Sequence, residues 1–417
     1  MSEKVAVIGL GYVGLPLLNA FSNHFNVVGF DLNQQRILEL KNGFDRTGEI
    51  ELLNNNIFFT DIIEDCKDCN IFIVTVPTPI DHNNLPDFDP LTRASKSIAQ
   101  ILKINDIVVY ESTVYPGATR EYCVPVLETY SNLSFNKDFF VGYSPERINP
   151  SDRNNKLENI VKVVSASNES TLEILRSIYS TIIHAGIHLA SSIEVAEAAK
   201  ILENTQRDVN IALMNEFSRI CTAVGIKTND VLEAASTKWN FVKFYPGLVG
   251  GHCIGVDPYY LAYRANQLDV LPDIITTSRK VNNSMPKFIV EKILKDSIQR
   301  KIDLSNSNAL ILGFSFKPNC PDIRNTKVFD IYSELSRFNI PVDVYDPLVN
   351  SNEVLTEYGI HLLNNIENKK YNILLLAVPH IDYLDTFKNI LNVNAATEHY
   401  IFDVNGILSD DYNVGTL

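Results

Sequence analysis

The sequence predicts an α/β protein with two doubly wound parallel sheets flanking a helical segment, and three observations carry that reading. Short, β-branched apolar runs alternate with amphipathic stretches in the N-terminal part, the same alternation resumes beyond Pro286, and between them residues 194–224 run without a proline or glycine. Parallel strands covered on both faces give continuous apolar runs, and helices between them complete βαβ units.

Residues 5–8, 27–30, 71–76 and 107–110 are the apolar runs expected as strands, with helical patterns at 15–21 and 91–102. In the middle, Val195, Ala198, Ala199, Leu202, Val209, Leu213 and Phe217 recur at helical spacing, which predicts one long helix ended by Gly225 as its C-terminal cap. Such a helix is expected to act as a spine between domains and as a dimer surface. After Pro286 a helical stretch leads to strands at 309–313, 342–346 and 373–379. Ile8-Gly9, Phe30-Asp31 and Val76-Pro77 have counterparts in Leu312-Gly313, Tyr345-Asp346 and Val378-Pro379, each at a strand's end. The expected organisation is a Rossmann-like domain at 1–185, a central helical domain at 186–295 and a second Rossmann-like domain at 296–417, so that two nucleotides can be held.

A formal net charge of −14 excludes a broad basic face, and with it a protein that wraps nucleic acid or lies on an anionic membrane. Phosphate on a ligand must then be met by backbone amides and a few placed cations. The first residues lead straight into the apolar run at 5–8 without a secretory signal, and no stretch of about 18 apolar residues exists to span a bilayer. A cytoplasmic protein is expected. Six scattered cysteines form no disulfide framework there. Cys66 and Cys69 have CxxC spacing without a second pair, so no metal site is expected and they read as ordinary helix or turn residues.

Gly9-Leu10-Gly11-Tyr12-Val13-Gly14 follows a strand and opens a helix. In that context the glycines serve a tight turn, close approach of a pyrophosphate, and helix-strand packing, while the helix N-terminus favours the negative charge. Asp31 ends the next strand, where a carboxylate accepts from ribose hydroxyls and repels a 2′-phosphate, which favours NAD over NADP. Arg36 either lies near the adenosine ribose or is a solvated helix residue.

Residues 250–258, Gly-Gly-His-Cys-Ile-Gly-Val-Asp-Pro, set Cys253 among glycines that leave room for a substrate and free amides to face charge. Polar neighbours and His252 favour a reactive thiolate over an inert buried thiol. Oxidising an alcohol to an acid passes through an aldehyde, which yields no second hydride until a nucleophile adds. Cys253 fits that task through a thiohemiacetal and a thioester. Lys200 and Asn204 share one face of the long helix at i and i+4. The apolar residues around Lys200 argue for a partly buried ammonium that stabilises an alkoxide or oxyanion, with Asn204 as a neutral donor. Asp257 is placed to orient that lysine or a water, and Glu146 to activate the hydrolytic water.

At these residues the chain resembles the nucleotide-sugar 6-dehydrogenase family over essentially its whole length. The resemblance rests on residues 9–14 with Asp31, Val76-Pro77-Thr78-Pro79, Glu111-Ser112-Thr113-Val114, Ser144-Pro145-Glu146-Arg147, Lys200 with Asn204, residues 250–257, and 313–317 with Asp322 and Arg324. It implies an N-terminal NAD domain contacted by Gly9, Gly11, Tyr12, Val13, Gly14, Asp31, Arg36, Thr78 and Thr113, with Arg324 reaching the cofactor from the C-terminal half. It implies a C-terminal UDP domain with Phe316 and Lys317 near the nucleotide sugar. Arg147, Ile148, Lys200, Asn204, Arg207 and Gly250 would line the substrate pocket, and Lys200 and Cys253 would be catalytic, supported by Glu146 and Asp257. Residues 237–241 and 246–260 look like the branch acting on UDP-N-acetylglucosamine or UDP-N-acetylgalactosamine in capsule and O-antigen synthesis, since the UDP-glucose branch typically carries Lys where Val256 stands. Two departures stand out: Tyr245 replaces a basic residue at a substrate contact, and Pro150 stands where UDP-glucose enzymes have a second acid. The alternatives are a UDP-glucose 6-dehydrogenase and a nucleotide-sugar-binding protein without catalysis. A homodimer is the expected assembly.

Overall fold

The computed structural model describes residues 3–50, 54, 56–148, 156–366, 369–408 and 414–417. The chain forms two compact units, Met1–Glu203 with Tyr259–Val270, and Asn204–Pro258 with Leu271–Leu417. The segment 186–295 is thereby shared between them.

The first unit contains β1 (Lys4–Ile8), α1 (Gly14–Phe21), β2 (Asn26–Phe30), α2 (Gln34–Lys41), β3 (Phe58–Thr60), β4 (Ile71–Val74), α3 (Asp89–Ala99), β5 (Ile107–Tyr110), α4 (Val124–Ser131), β6 (Phe140–Tyr143), β7 (Lys162–Ala166), α5 (Glu169–Ser180) and β8 (Ile187–Leu189). Its sheet runs in the order β3-β2-β1-β4-β5-β6-β7-β8. Strands β1 to β6 are parallel, with Val5 opposite both Val27 and Ile71. Every residue of β4 and β5 is buried, as continuous apolar runs demand of interior strands. Val7, Leu17, Phe21, Ile73, Val109, Leu175 and Tyr179 share one core.

The edge of this sheet departs from the purely parallel arrangement expected. β7 runs antiparallel to β6, with Gly142 opposite Ala166 and Tyr143 opposite Ser165. A parallel neighbour needs a crossover, usually helical, whereas the described part of the connection from β6 to β7 holds only the single turn Leu157–Asn159.

Two helices carry residues of both units, α6 (Ile193–Val224) and, after α7 (Thr228–Ser236), α8 (Asp257–Gln267). The long helix read from the sequence is α6, and Gly225 ends it at φ +83° with its N–H on the Cys221 carbonyl at 2.9 Å. Its faces are arranged unusually. Glu197, Asn204, Asp208 and Asn215, spaced 7, 4 and 7 apart, are buried, whereas Val195, Leu202, Leu213, Ile220 and Val224 are exposed.

The second unit continues with α9 (Asp273–Gln299), β9 (Ala309–Leu312), α10 (Val328–Arg337), β10 (Val342–Tyr345), α11 (Ser351–Tyr358), β11 (Tyr371–Leu376), α12 (Leu384–Asn394), β12 (Ala395–Asp403) and β13 (Gly415–Thr416). Its five-stranded sheet is parallel, in the order β10-β9-β11-β12-β13. Helix α9 does not wait for Pro286 but runs through it. An interior proline costs about 3 kcal/mol through a lost backbone bond and a clash. Met285, Ile289, Val290 and Ile293 on that helix are wholly buried in the core of this unit, which offsets the cost.

Candidate active site

At the C-terminal edge of the first sheet the strand order reverses between β1 and β4, where open α/β sheets bind ligands. Gly9 there takes φ +96°, and its N–H donates to the Phe30 carbonyl at 2.8 Å. A Cβ on Gly14 would lie 1.9 Å from the Gly9 oxygen, so helix and strand could not pack as they do. A Cβ on Gly11, in contrast, would meet nothing of the protein within 4 Å. Two glycines are thus required by the polypeptide itself, while the third is explained by something else approaching the backbone. No side chain caps α1, and the Leu15 and Leu17 N–H groups of its first turn donate back to the Gly11 and Val13 carbonyls at 3.2 and 3.4 Å, so the positive end of the helix lies at the glycine loop. These features fit the pyrophosphate of NAD.

Asp31 accepts the Leu10 N–H on Oδ2 and the Asn33 N–H on Oδ1, both at 2.8 Å. Being only partly buried, it keeps acceptor capacity for ribose hydroxyls. Arg36 is not a solvated helix residue: it is buried, with Nε donating to the Leu10 carbonyl at 2.9 Å and Nη2 to Asp45 at 2.8 Å. It braces the glycine loop, and its buried Nη1 has no hydrogen-bond partner among the described residues. Tyr12 and Val13 are half-buried in the turn into α1. Thr78 and Thr113, also half-buried, follow β4 and β5, and the Ser112 hydroxyl ties those segments by donating to the Val76 carbonyl at 2.6 Å.

Glu146 follows β6 and is buried, unlike a surface base waiting for water. Its Oε1 accepts the N–H groups of Arg147 and Ile148 at 2.6 and 2.7 Å, and Lys162 Nζ lies 2.8 Å from Oε2. Burial pushes this carboxyl up, but the Lys162 charge and these donors outweigh it and hold the group below the ordinary glutamate value. Arg147 is paired with Glu203 at 2.8 Å, beside half-buried Ile148. Lys200 is half-buried on α6. Pro150 lies outside the described residues.

The second unit gathers the thiol and its neighbours. Cys253 sits in the turn before α8, and its carbonyl accepts the Val256 and Asp257 N–H groups at 2.9 and 2.8 Å. Its Sγ is 3.0 Å from His252 Nδ1, whose ring places Nε2 3.6 Å from Asp322. Asp322 is in turn gripped by Arg324 through Nε and Nη2 at 3.0 and 2.5 Å. Burial raises the Asp322 carboxyl, and the Arg324 hydrogen bonds and charge reverse this and leave it lowered. Asn204 Nδ2 donates to Asp257 at 2.5 Å, both groups buried. The glycines beside the thiol answer to packing rather than to open space: a Cβ on Gly250 would be 2.6 Å from the Asn325 oxygen, and one on Gly251 2.7 Å from the Phe316 ring. Phe316 therefore stands next to the cysteine turn, with Lys317 Nζ 5.5 Å from the centre of its ring. Arg207 and Tyr245 are exposed, the latter with Lys243 Nζ 5.1 Å over its ring.

Sequence reasoning passed over the supports of this turn. Asn215 holds Gly247 by both its N–H (2.8 Å) and its carbonyl (3.0 Å), and is itself held by Asn282, which donates to Asp208 beside Arg279. Asn204, Asp208 and Asn215 share a helix face, and that polar periodicity was the signal. In the second sheet Asp346, the counterpart of Asp31, is turned inward onto the Phe314 and Ser315 amides and buried His380. Burial raises its carboxyl, yet His380 and the amides hold it below the ordinary value. It is a structural acid rather than a ribose ligand.

A glycine loop with an adjacent acid defines the first unit as a dinucleotide-binding one, and the second unit carries a partly open thiol in a braced turn. Known proteins agree. Models of the UDP-glucose/GDP-mannose dehydrogenase family match in three parts, the NAD binding domain at residues 3–183, the central domain at 194–284 and the UDP binding domain at 310–410. The chain is 50% identical over 412 residues, 98% of each chain, to UDP-N-acetyl-D-glucosamine 6-dehydrogenase of Pseudomonas aeruginosa. It is 49% identical over 418 residues, 99% of this chain and 98% of the relative, to protein CapL of Staphylococcus aureus. The solved structure of a UDP-D-ManNAc dehydrogenase from Pyrococcus horikoshii superposes with a TM-score of 0.87 at 27% identity, covering 98% of this chain and 96% of that one. The chain belongs to the UDP-glucose/GDP-mannose dehydrogenase family, and NAD is its cofactor.

Proposed function

We propose that the chain oxidises the C6 alcohol of UDP-N-acetylglucosamine to the uronate, using two NAD per sugar and Cys253 as nucleophile, and so supplies surface polysaccharide synthesis. The 50% identity to an enzyme of that name supports the substrate. One observation carries the chemistry: all six cysteines are described, five are buried, and Cys253 is the one partly open, with an imidazole on its sulfur.

Bound NAD supplies a hydride acceptor. Lys200 stabilises the negative charge that develops on the sugar oxygen, and Asn204 with Asp257 fixes the polar end of the cysteine turn. The Cys253 thiolate adds to the C6 aldehyde to give a thiohemiacetal. Loss of the second hydride together with the hydroxyl proton leaves a thioester, and water breaks the carbon–sulfur bond to release the carboxylate and return the thiol. Arg147, Ile148, Arg207, Tyr245, Gly250, Phe316 and Lys317 are assigned to the substrate and Arg324 to the cofactor, as the family resemblance implies. The three-domain division at 185/186 and 295/296 belongs to the same reading. So does a cytoplasmic homodimer, supported by the exposed apolar stripe on α6; no helix among the described residues is long and apolar enough to cross a membrane.

The test is incubation of the purified chain with NAD and, separately, UDP-N-acetylglucosamine, its galacto and manno epimers and UDP-glucose, reading NADH absorbance and product mass. The N-acetylglucosamine compound should give the highest specificity constant and two NADH per uronate, and Cys253→Ser should abolish uronate formation. Full four-electron turnover by that variant removes Cys253 from the mechanism. Preference for UDP-glucose overturns the substrate, and binding without any NADH overturns the enzyme.

A further inference from the structure

Behind Glu146 the first unit buries a cluster of charged groups that the proposed chemistry does not use. Lys162, the first residue of β7, places Nζ 2.7 Å from Glu111, just past β5, and 2.8 Å from Glu146, just past β6. The Tyr179 hydroxyl on α5 donates to the other oxygen of Glu111. The lysine side chain is 3% exposed and the two carboxylates 0% and 7%. Lysine is among the residues least often fully buried, and an ion pair in the interior commonly contributes no more to stability than apolar residues of the same volume would. Stability alone is therefore a poor reason for this cluster. Its geometry supplies a better one, because the oxygen of Glu146 turned away from Lys162 grips two consecutive backbone amides, those of Arg147 and Ile148.

We propose that Lys162 is a positioning residue for the reaction, holding the Glu146 carboxylate and, through it, the backbone of residues 146–148, of which Arg147 and Ile148 are assigned to the substrate. This rests on the function proposed above. Three of the four lone-pair directions of Glu146 are taken by Lys162 and the two amides, so the carboxylate and the loop move together. The groups facing Glu146 are Lys162 from β7, Glu111 from the end of β5 and Tyr179 from α5, with the Arg147–Glu203 pair beside it. Burial raises Glu146 and Lys162 outweighs it, whereas for Glu111 burial prevails over Lys162 and raises the group. The two carboxyls of the cluster are thus shifted in opposite directions, Glu146 down and Glu111 up.

The experiment is the pH dependence of kcat/KM for UDP-sugar oxidation in the wild type, Lys162→Met and Lys162→Arg, with circular dichroism to confirm folding. Without its counter-charge Glu146 retains a proton to higher pH, so the acidic limb of the Lys162→Met profile should move up by about one pH unit or more. The KM for the UDP-sugar should rise about tenfold with little change in the KM for NAD. Lys162→Arg should return the limb toward its place. If Lys162→Met does not fold, Glu111→Gln/Lys162→Met leaves one unpaired carboxylate instead of two and should show the same shift. A folded variant whose acidic limb coincides with that of the wild type overturns the proposal, whatever its kcat. A wild type that reduces no NAD with any UDP-sugar overturns the underlying function instead.

Discussion

Asn204 donates from Nδ2 to Oδ2 of Asp257 at 2.5 Å, so the helix that carries Lys200 is bonded to the residue that opens the helix after the Cys253 turn. Asn204→Ala removes that donor and should cost about 1–3 kcal/mol in urea unfolding, with turnover falling about tenfold or more. Asn204→Asp sets two buried carboxylates together and should be worse at pH 8 than at pH 5. An alanine variant with wild-type stability and kcat would show that the pair does neither job.

Gly11 and Gly14 are three residues apart and should fail in opposite ways. Gly14→Ala forces a methyl to 1.9 Å from the Gly9 oxygen, which overpacks the helix-strand contact and should destabilise the chain by about 1–3 kcal/mol or more. Gly11→Ala meets no protein atom, so its stability should stay within about 0.5 kcal/mol of wild type while the Kd for NAD rises about tenfold or more. Thermal melts with and without NAD, beside NAD titration, separate the two. Unaltered NAD affinity in the Gly11 variant would detach that glycine from the cofactor.

This contrast shows what a sequence makes legible. The glycine loop and Asp31 obey local rules, since each demand comes from a neighbouring strand, helix or ligand, and β1, β2, β4 and β5 announced themselves as apolar runs. The Lys162 cluster obeys no local rule: its bonds span 51 and 16 residues, and although Ile160, Val161, Val163 and Val164 flank the lysine, nothing near it in the sequence names its carboxylate partners. The glycines at 250 and 251 were legible as glycines, but their reason lies in Asn325 and Phe316, more than 60 residues on. For α6 the period revealed the helix, but the choice of buried face rested on tertiary partners that favour its polar stripe. β12 begins with a partly polar run, Ala-Ala-Thr-Glu-His, of which Ala395 pairs with Tyr371 and the rest falls at a shift of register before Tyr400 pairs with Ile373.

Glu197 offers a pH test of that buried polar stripe. It accepts the Gly117 N–H at 2.5 Å and the Thr119 N–H at 2.8 Å, tying the segment after Thr113 to α6. Burial pushes its carboxyl up to about 7, more than those two amides lower it. A carboxyl raised on folding contributes stability that is complete below its ordinary value and is lost as pH rises through the folded value. The stability of the wild type relative to Glu197→Gln should therefore fall by about 2–3 kcal/mol between pH 4.5 and pH 8. Urea unfolding of both proteins at several pH values measures it, and parallel curves across that window would place the proton elsewhere.

The opposite stripe of α6 bears on assembly. Val195, Leu202, Leu213, Ile220 and Val224 repeat at spacings of 7, 11, 7 and 4, which keeps them within one narrow face, and Leu202, Leu213 and Val224 are 60%, 59% and 66% exposed. Single exposed leucines are ordinary, but apolar residues repeated along one helix face, here broken by Gln206, mark an interface, and a second copy presenting the same face matches it by two-fold symmetry. The wild type should then show twice the chain mass by light scattering at micromolar concentration. Leu202→Asp/Leu213→Asp, which places carboxylates in the middle of that face, should show the single chain mass, since like charges would meet across the contact without a partner. Surface substitutions to Asp leave a monomer's fold within about 0.5 kcal/mol, so any larger loss of stability in this variant measures the contribution of the contact between copies. A wild type that remains monomeric throughout that concentration range would leave the stripe to some other covering and remove the homodimer from the proposed working form.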